Sequence, residues 1–216
     1  MPDQFKALIP DARAFYADLS TNNTRDWFSE NKQRYDEKLK MPAKALLDVI
    51  SPALTKLLDT PITTKLFRAH RDVRFSKDKT AYSQHLHMMW SPQGNGTQPV
   101  YFFGIAGEYV RAGAGIMDFS KAQQTDWRKW VSEREGDALQ ARIDTAAGAG
   151  VTLRKPELKR VPSPFEKDHP RADLLQRKSM TLWKDIEVDA SKDLTSAITD
   201  AFKLFDPIMN DLRAFL

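Results

Sequence analysis

Within residues 65–79 the chain sets six basic side chains, Lys65, Arg68, Arg71, Arg74, Lys77 and Lys79, against two acids, Asp72 and Asp78. The net of that stretch is +4, equal to the net of the whole chain, so everything outside it sums to zero. Cations ~6 Å apart repel by roughly 3 kcal/mol per pair at an effective dielectric of ~20, which acids, solvent or a bound anion must offset. Guanidinium forks grip phosphate or carboxylate through paired hydrogen bonds, and lysines add mobile point charge. Two readings of residues 71–80 therefore stand side by side. In one, Arg71, Arg74, Lys77 and Lys79 hold an anionic ligand with Asp72 as a proton carrier; in the other, Arg–Asp ion pairs simply order a turn.

A second polar group follows about ninety residues later, where Lys159 and Arg160 precede Val161-Pro162, Phe165 and Asp168-His169-Pro170. His169 beside Asp168 has the composition of a general acid–base pair, although neighbours in sequence rarely face one another, and an Asp before His-Pro serves equally well as a turn. The prolines of this stretch bar it from a regular ladder, so it is expected to lie over other structure and to converge with residues 71–79 on one cleft beside Gly113 and Gly115. Those two glycines would let a backbone or a ligand approach a strand. His85 and His87, two apart and so on one face of a strand, could with Glu108 hold a transition metal, but the spacing equally describes polar positions on a half-exposed sheet, and no metal is assigned. Phosphate-binding loop, dinucleotide and serine-hydrolase signatures are absent from the sequence, and no cofactor is indicated.

The elements that must position these residues change character along the chain. In residues 1–60 the apolar side chains recur at helical spacing: Ala12, Phe15 and Leu19; then, after the turn and cap chemistry of Asn22-Asn23-Thr24, Trp27, Phe28, Tyr35 and Leu39; then Leu46, Leu47, Ile50, Leu54 and Leu57. Pro42 is expected to end the second helix and open the third. Residues 61–118 read as strands at 66–68, 82–90, 100–105 and 109–116 joined by short turns, hence an antiparallel meander. Residues 119–216 are mixed: helices around Trp127 and around Leu139, a loop-rich crossing segment at 151–170, a short helix near Leu174, a strand at 179–186, and a helix capped by Ser191 and broken at Pro207. The expected fold is α+β, with a meander sheet packed by N-terminal and C-terminal helices, in a single domain over 1–216.

Composition limits the setting. There is no cysteine, which removes disulfides and thiolate chemistry and fits a reducing compartment. No leader-like stretch opens the chain at Met1-Pro2-Asp3-Gln4, and no apolar run approaches the ~20 residues of a membrane span, so a soluble cytoplasmic protein without a membrane partner is expected.

The same stretches resemble the family called domain of unknown function 2461, whose members are small, soluble and mostly bacterial. The likeness rests on Asn22-Asn23, Arg25, Trp27-Phe28, Lys32 and Tyr35; on residues 71–80, Arg-Asp-Val-Arg-Phe-Ser-Lys-Asp-Lys-Thr; on Gly113 and Gly115; and on Leu158-Lys159-Arg160-Val161-Pro162, Phe165, Asp168-His169-Pro170, Leu174-Leu175 and Lys178. The chain departs from the pattern at Ala81, where a proline is common, and at Met117-Asp118-Phe119. The resemblance implies no particular reaction; it implies that the charged positions form one site. Two functions stay open: a small-molecule binder or enzyme whose basic cleft takes a phosphate- or carboxylate-bearing ligand, and a nucleic-acid-binding module using the same charges, extended by Lys159 and Arg160. Acids interleaved as Arg-Asp-x-Arg and Lys-Asp-Lys suit a compact pocket better than a continuous basic track.

Overall fold

A computed structural model describes residues 4–74, 76–94, 97–187 and 193–216. The chain opens with helices α1 (Leu8–Thr21), α2 (Arg25–Glu30) and α3 (Lys32–Tyr35), a π-helical turn over Asp36–Lys40, and α4 (Met41–Leu58). Four strands follow: β1 (Ile62–Leu66), β2 (His85–Pro92), β3 (Val100–Ala106) and β4 (Val110–Ile116). After α5 (Lys121–Ser132) and α6 (Arg134–Gly148) come β5 (Thr152–Leu153), α7 (Ala172–Leu175), β6 (Met180–Asp185) and α8 (Leu194–Phe215). The six strands form one antiparallel sheet in the order β1-β2-β3-β4-β6-β5, flanked by N- and C-terminal helices. The α+β class and the meander of the first four strands are those expected from the change of period at Ile62.

The chain groups into two compact units. The first takes in Met1–Gln93, Phe102–Ala112 and Asp185–Asp200; the second takes in Gly94–Tyr101, Gly113–Lys184 and Ala201–Leu216. In the first, α1 buries Leu8, Ala12, Phe15 and Leu19 as its spacing requires. Phe15 lies at the middle of an aromatic cluster, its ring 5.5 to 6.1 Å from those of Tyr16, Trp27, Phe28 and Tyr35. Thr24 caps α2 by accepting from the Trp27 amide. Pro42 opens α4 as expected, yet the chain does not break there. Proline has no amide for the Lys38 carbonyl, and the bond before it is the wider one from the Met41 amide to the Asp36 carbonyl.

In the second unit the two glycines of β4 are explained by backbone approach. A side chain on Gly115, whose φ is +132°, would meet the Met180 carbonyl at 2.0 Å, and one on Gly113 would meet the Trp183 ring at 2.5 Å. Thr152 and Leu153 in the loop-rich stretch do form a short ladder, pairing with Trp183 and Leu182.

The expected break at Pro207 is corrected by the structure: α8 runs through it to Phe215. Ile208, Met209 and Leu212 are all buried. Burial of three such side chains, ~1.5–3 kcal/mol each, outweighs the ~3 kcal/mol that an interior proline costs a helix. The expected cap, Ser191, lies outside the described residues.

Candidate functional site

Residues 71–74 and 76–80 lie at the tip of an extended β1–β2 hairpin. Beyond the regular pairing of Leu66 with Met88, the Phe67 amide donates to the His87 carbonyl at 3.0 Å, the Ser83 amide to Ala69 at 2.8 Å and the Arg71 amide to Ala81 at 2.9 Å. The side chain of Asn23 then serves as a one-residue strand partner for Tyr82: its Nδ2 donates to the Tyr82 carbonyl and its Oδ1 accepts from the Tyr82 amide, both at 2.9 Å. Tyr82 also stacks on Phe28 with ring centres 3.9 Å apart and planes 7° apart. The loop base is thus fixed to the α1–α2 turn.

Within the loop the opposite charges find one another. Arg71 Nη1 donates to Asp78 Oδ2 and to Thr80 Oγ1. Arg74 grips Asp72 as a fork, Nε to Oδ1 at 2.9 Å and Nη2 to Oδ2 at 2.6 Å. Lys79 Nζ donates to the Val73 carbonyl at 3.0 Å. The Thr80 amide and then the Arg71 guanidinium hold the Asp78 carboxyl down to about 2, and the Arg74 side chain holds Asp72 below its ordinary value. A carboxylate so held stays ionised and carries protons poorly near neutrality. Lys77 is exposed and has no acid partner among the described residues. Phe75 lies outside them.

A cavity of about 230 Å³ lies beside the start of this loop, and the sequence reading did not single it out. Lys32, Asp36, Lys40 and Lys44, spaced by four along α3, the π turn and α4, contribute to its wall together with Leu66, Phe67, Arg68, Ala69 and His70, which lead out of β1. Phe28 and Tyr35 complete it. Asp36 pairs with both Lys32 and Lys40, the second at 3.3 Å, and the hydrogen bond from Lys32 is the chief reason its carboxyl is held low. Among the described residues, Lys44 and Arg68 have no acid partner; Arg68 acts on Asp72 only through space. The His70 ring lies 4.6 Å from that of Tyr82 and 5.9 Å from that of Phe28. Burial, and then the neighbouring Asp36 charge, raise the Tyr35 phenol. The clue in the sequence was the Lys-Asp-Lys-Lys spacing, hidden because the helices were read for their apolar stripes.

A third polar group occupies the sheet face of the first unit. His85 and His87 share a face as expected, their rings 3.8 Å apart, and His87 Nε2 lies 2.7 Å from the Tyr109 hydroxyl. Gly104 leaves room for that pair, since a side chain there would meet His87 at 2.8 Å. Burial, and then the adjoining His85, push His87 down to about 4. Arg111 lies 4.5 Å over the Tyr109 ring and 3.3 Å from Asp185. Among the described residues, no three His, Cys, Asp or Glu side chains are grouped to hold a metal ion.

The second group of sequence candidates belongs to the second unit. His169 does not turn to Asp168: its Nδ1 accepts from the Arg171 amide at 3.1 Å, so the ring closes its own turn. Arg171 in turn donates to the carbonyls of Val131 and Ser132 and to Asp137, tying this segment to the end of α5. Lys159, Arg160 and Asp168 are exposed. The spaces beside Gly113 and Gly115 are taken by Trp183 and Met180.

These elements define an α+β protein built on one antiparallel six-stranded sheet. The chain belongs to the family described as conserved hypothetical protein (DUF2461), which it matches over residues 11–210, a span that includes the cavity and both charged motifs. No curated protein matches it. Among the described residues, no helix is long and apolar enough to cross a membrane.

Proposed function

We propose that the first unit binds a small anionic ligand in the cavity walled by Lys32, Lys40, Lys44 and Arg68. The charge balance of the wall carries this reading: four cations share one acid, and two of them, Lys44 and Arg68, have no acid partner among the described residues. An anion relieves their repulsion, and the apolar sides offered by Phe28, Leu66 and Phe67 strengthen its attraction by excluding water. Lys77 adds to the positive field from the neighbouring loop, where Arg71, Arg74 and Lys79 serve chiefly to hold the chain. Lys159 and Arg160 of the second unit enter the same proposal as further anion contacts, and Asp168 and His169 as proton carriers. Nucleic-acid binding through the basic segment is the weaker reading, because Asp78 and Asp72 already occupy the two arginines that would grip phosphates. A cytoplasmic setting belongs to the same proposal, supported by the lack of cysteine, and a bacterial one follows only from the family resemblance.

Melting curves test it. At equal ionic strength, phosphate, sulfate or small phosphorylated compounds should raise Tm above its value in chloride, by ~5–10 °C at a hundredfold excess over the dissociation constant. Lys44→Ala with Arg68→Ala should abolish the shift and leave the unliganded Tm within a few degrees of the parent. No shift across a broad panel of anions overturns the reading.

A further inference from the structure

We infer that the anionic group received by this cavity is a phosphate monoester dianion on a small, ring-sized apolar body. The inference rests on the anion-binding reading of the same cavity and goes beyond it in naming the ligand's class. The first step is a count of charge. Asp36 engages Lys32 and Lys40 together, so that trio contributes only one net positive charge, and the two cations with no acid partner among the described residues are Lys44 and Arg68. A carboxylate or a phosphodiester brings one negative charge and leaves one of the pair uncompensated. A phosphate monoester brings close to two at neutral pH and matches both, leaving only the single positive charge of the trio where a monoanion leaves two.

The second step is the kind of cation. Arg68 presents a planar fork that can bind two oxygens of one tetrahedral group, and Lys44 reaches from the opposite element, a helix, as a mobile point charge for a third. The third step is the rest of the wall. Phe28, Tyr35, Leu66 and Phe67 offer an apolar surface that inorganic phosphate would leave unused, and about 230 Å³ lies below the range of pockets for drug-sized ligands. A phosphate group with one ring suits a space of that size.

Isothermal titration of the intact chain with four probes separates the possibilities: phenyl phosphate, its monoanionic methyl ester (phenyl methyl phosphate), benzoate and inorganic phosphate. Phenyl phosphate is expected to bind at least tenfold more tightly than each of the others. Lys44→Ala and Arg68→Ala should each weaken it about tenfold, and both side chains reach solvent, so the folded state is checked simply by an unchanged circular dichroism spectrum and Tm. Equal affinity for phenyl phosphate, its methyl ester and benzoate overturns the dianion inference and leaves the anion-binding reading standing. Inorganic phosphate binding as tightly as phenyl phosphate overturns the apolar body. Failure of all four to bind overturns the underlying reading as well.

Discussion

The loop at residues 71–80 and the cavity wall of Lys32, Asp36, Lys40, Lys44 and Arg68 hold similar charges in the same unit and use them in opposite ways. In the loop each arginine has its own acid within a few residues, Arg71 with Asp78 and Arg74 with Asp72, so the density of charge is a means of closing a turn. On the wall a single carboxylate serves two lysines, and two more cations have no acid among the described residues. What separates them is the ratio of acids to bases within reach. A count of charge along the sequence does not measure that ratio, because the wall's acid and bases come from two segments about thirty residues apart.

The comparison can be broken at the loop's base, where the largest effect is expected. Asn23→Ala removes two hydrogen bonds to Tyr82 and leaves a part-buried backbone pair unsatisfied, a loss of about 2 kcal/mol and a fall in Tm of ~4–8 °C. An unchanged Tm would show that the loop is not anchored there. An effect of similar size follows from pH. The folded protein holds His87 well below its ordinary value, so the unfolded chain takes up the proton first. Stability is full above pH 6.5 and declines as pH falls toward about 4. Asp36, Asp72 and Asp78 are all held below their ordinary range and stay ionised through most of that window, so their pairs with Lys32, Lys40, Arg74 and Arg71 persist through it. Urea midpoints measured from pH 7 to 4.5 should fall for the parent and less for His87→Gln, which retains a partner for Tyr109. Smallest of all is Asp72→Asn. The pair with Arg74 is exposed, so Tm should stay within about a degree and phosphate affinity within twofold. A several-fold gain in affinity would mean that Arg74, once released, belongs to the anion site after all.

Much of the architecture was legible because single elements carried their own periodicity. The α4 stripe through Leu46, Leu47, Ile50 and Leu54 is buried as its spacing demands, and the short turns of the middle third allowed only antiparallel neighbours. Pro207 misled because helix propensity is local while the burial of Ile208, Met209 and Leu212 is tertiary. The site was half legible. Residues 71–80 were recognisable as a charged unit, yet whether their arginines bind the loop's own acids or a ligand depends on backbone curvature that residue types do not encode. The wall stayed hidden for a different reason: Arg68 was counted with the loop that follows it, and Lys32, Lys40 and Lys44 were ordinary solvent-facing helix positions until β1 brought a second element alongside.

The π-helical turn at Asp36–Lys40 makes the wall tolerant of a change in chain length. Each residue of an α-helix advances the side chains by about 100°, and a π turn carries roughly one extra residue inside the helical path. Removing one residue from 37–39 would let the helix close into regular α form and set Lys32 seven and eleven residues from Lys40 and Lys44, each within about 20° of a whole number of turns, so the three lysines would still share a face. Descendants of this sequence can therefore exchange side chains along the turn or lose its extra residue, and the lysines that line the wall keep their common face through either change.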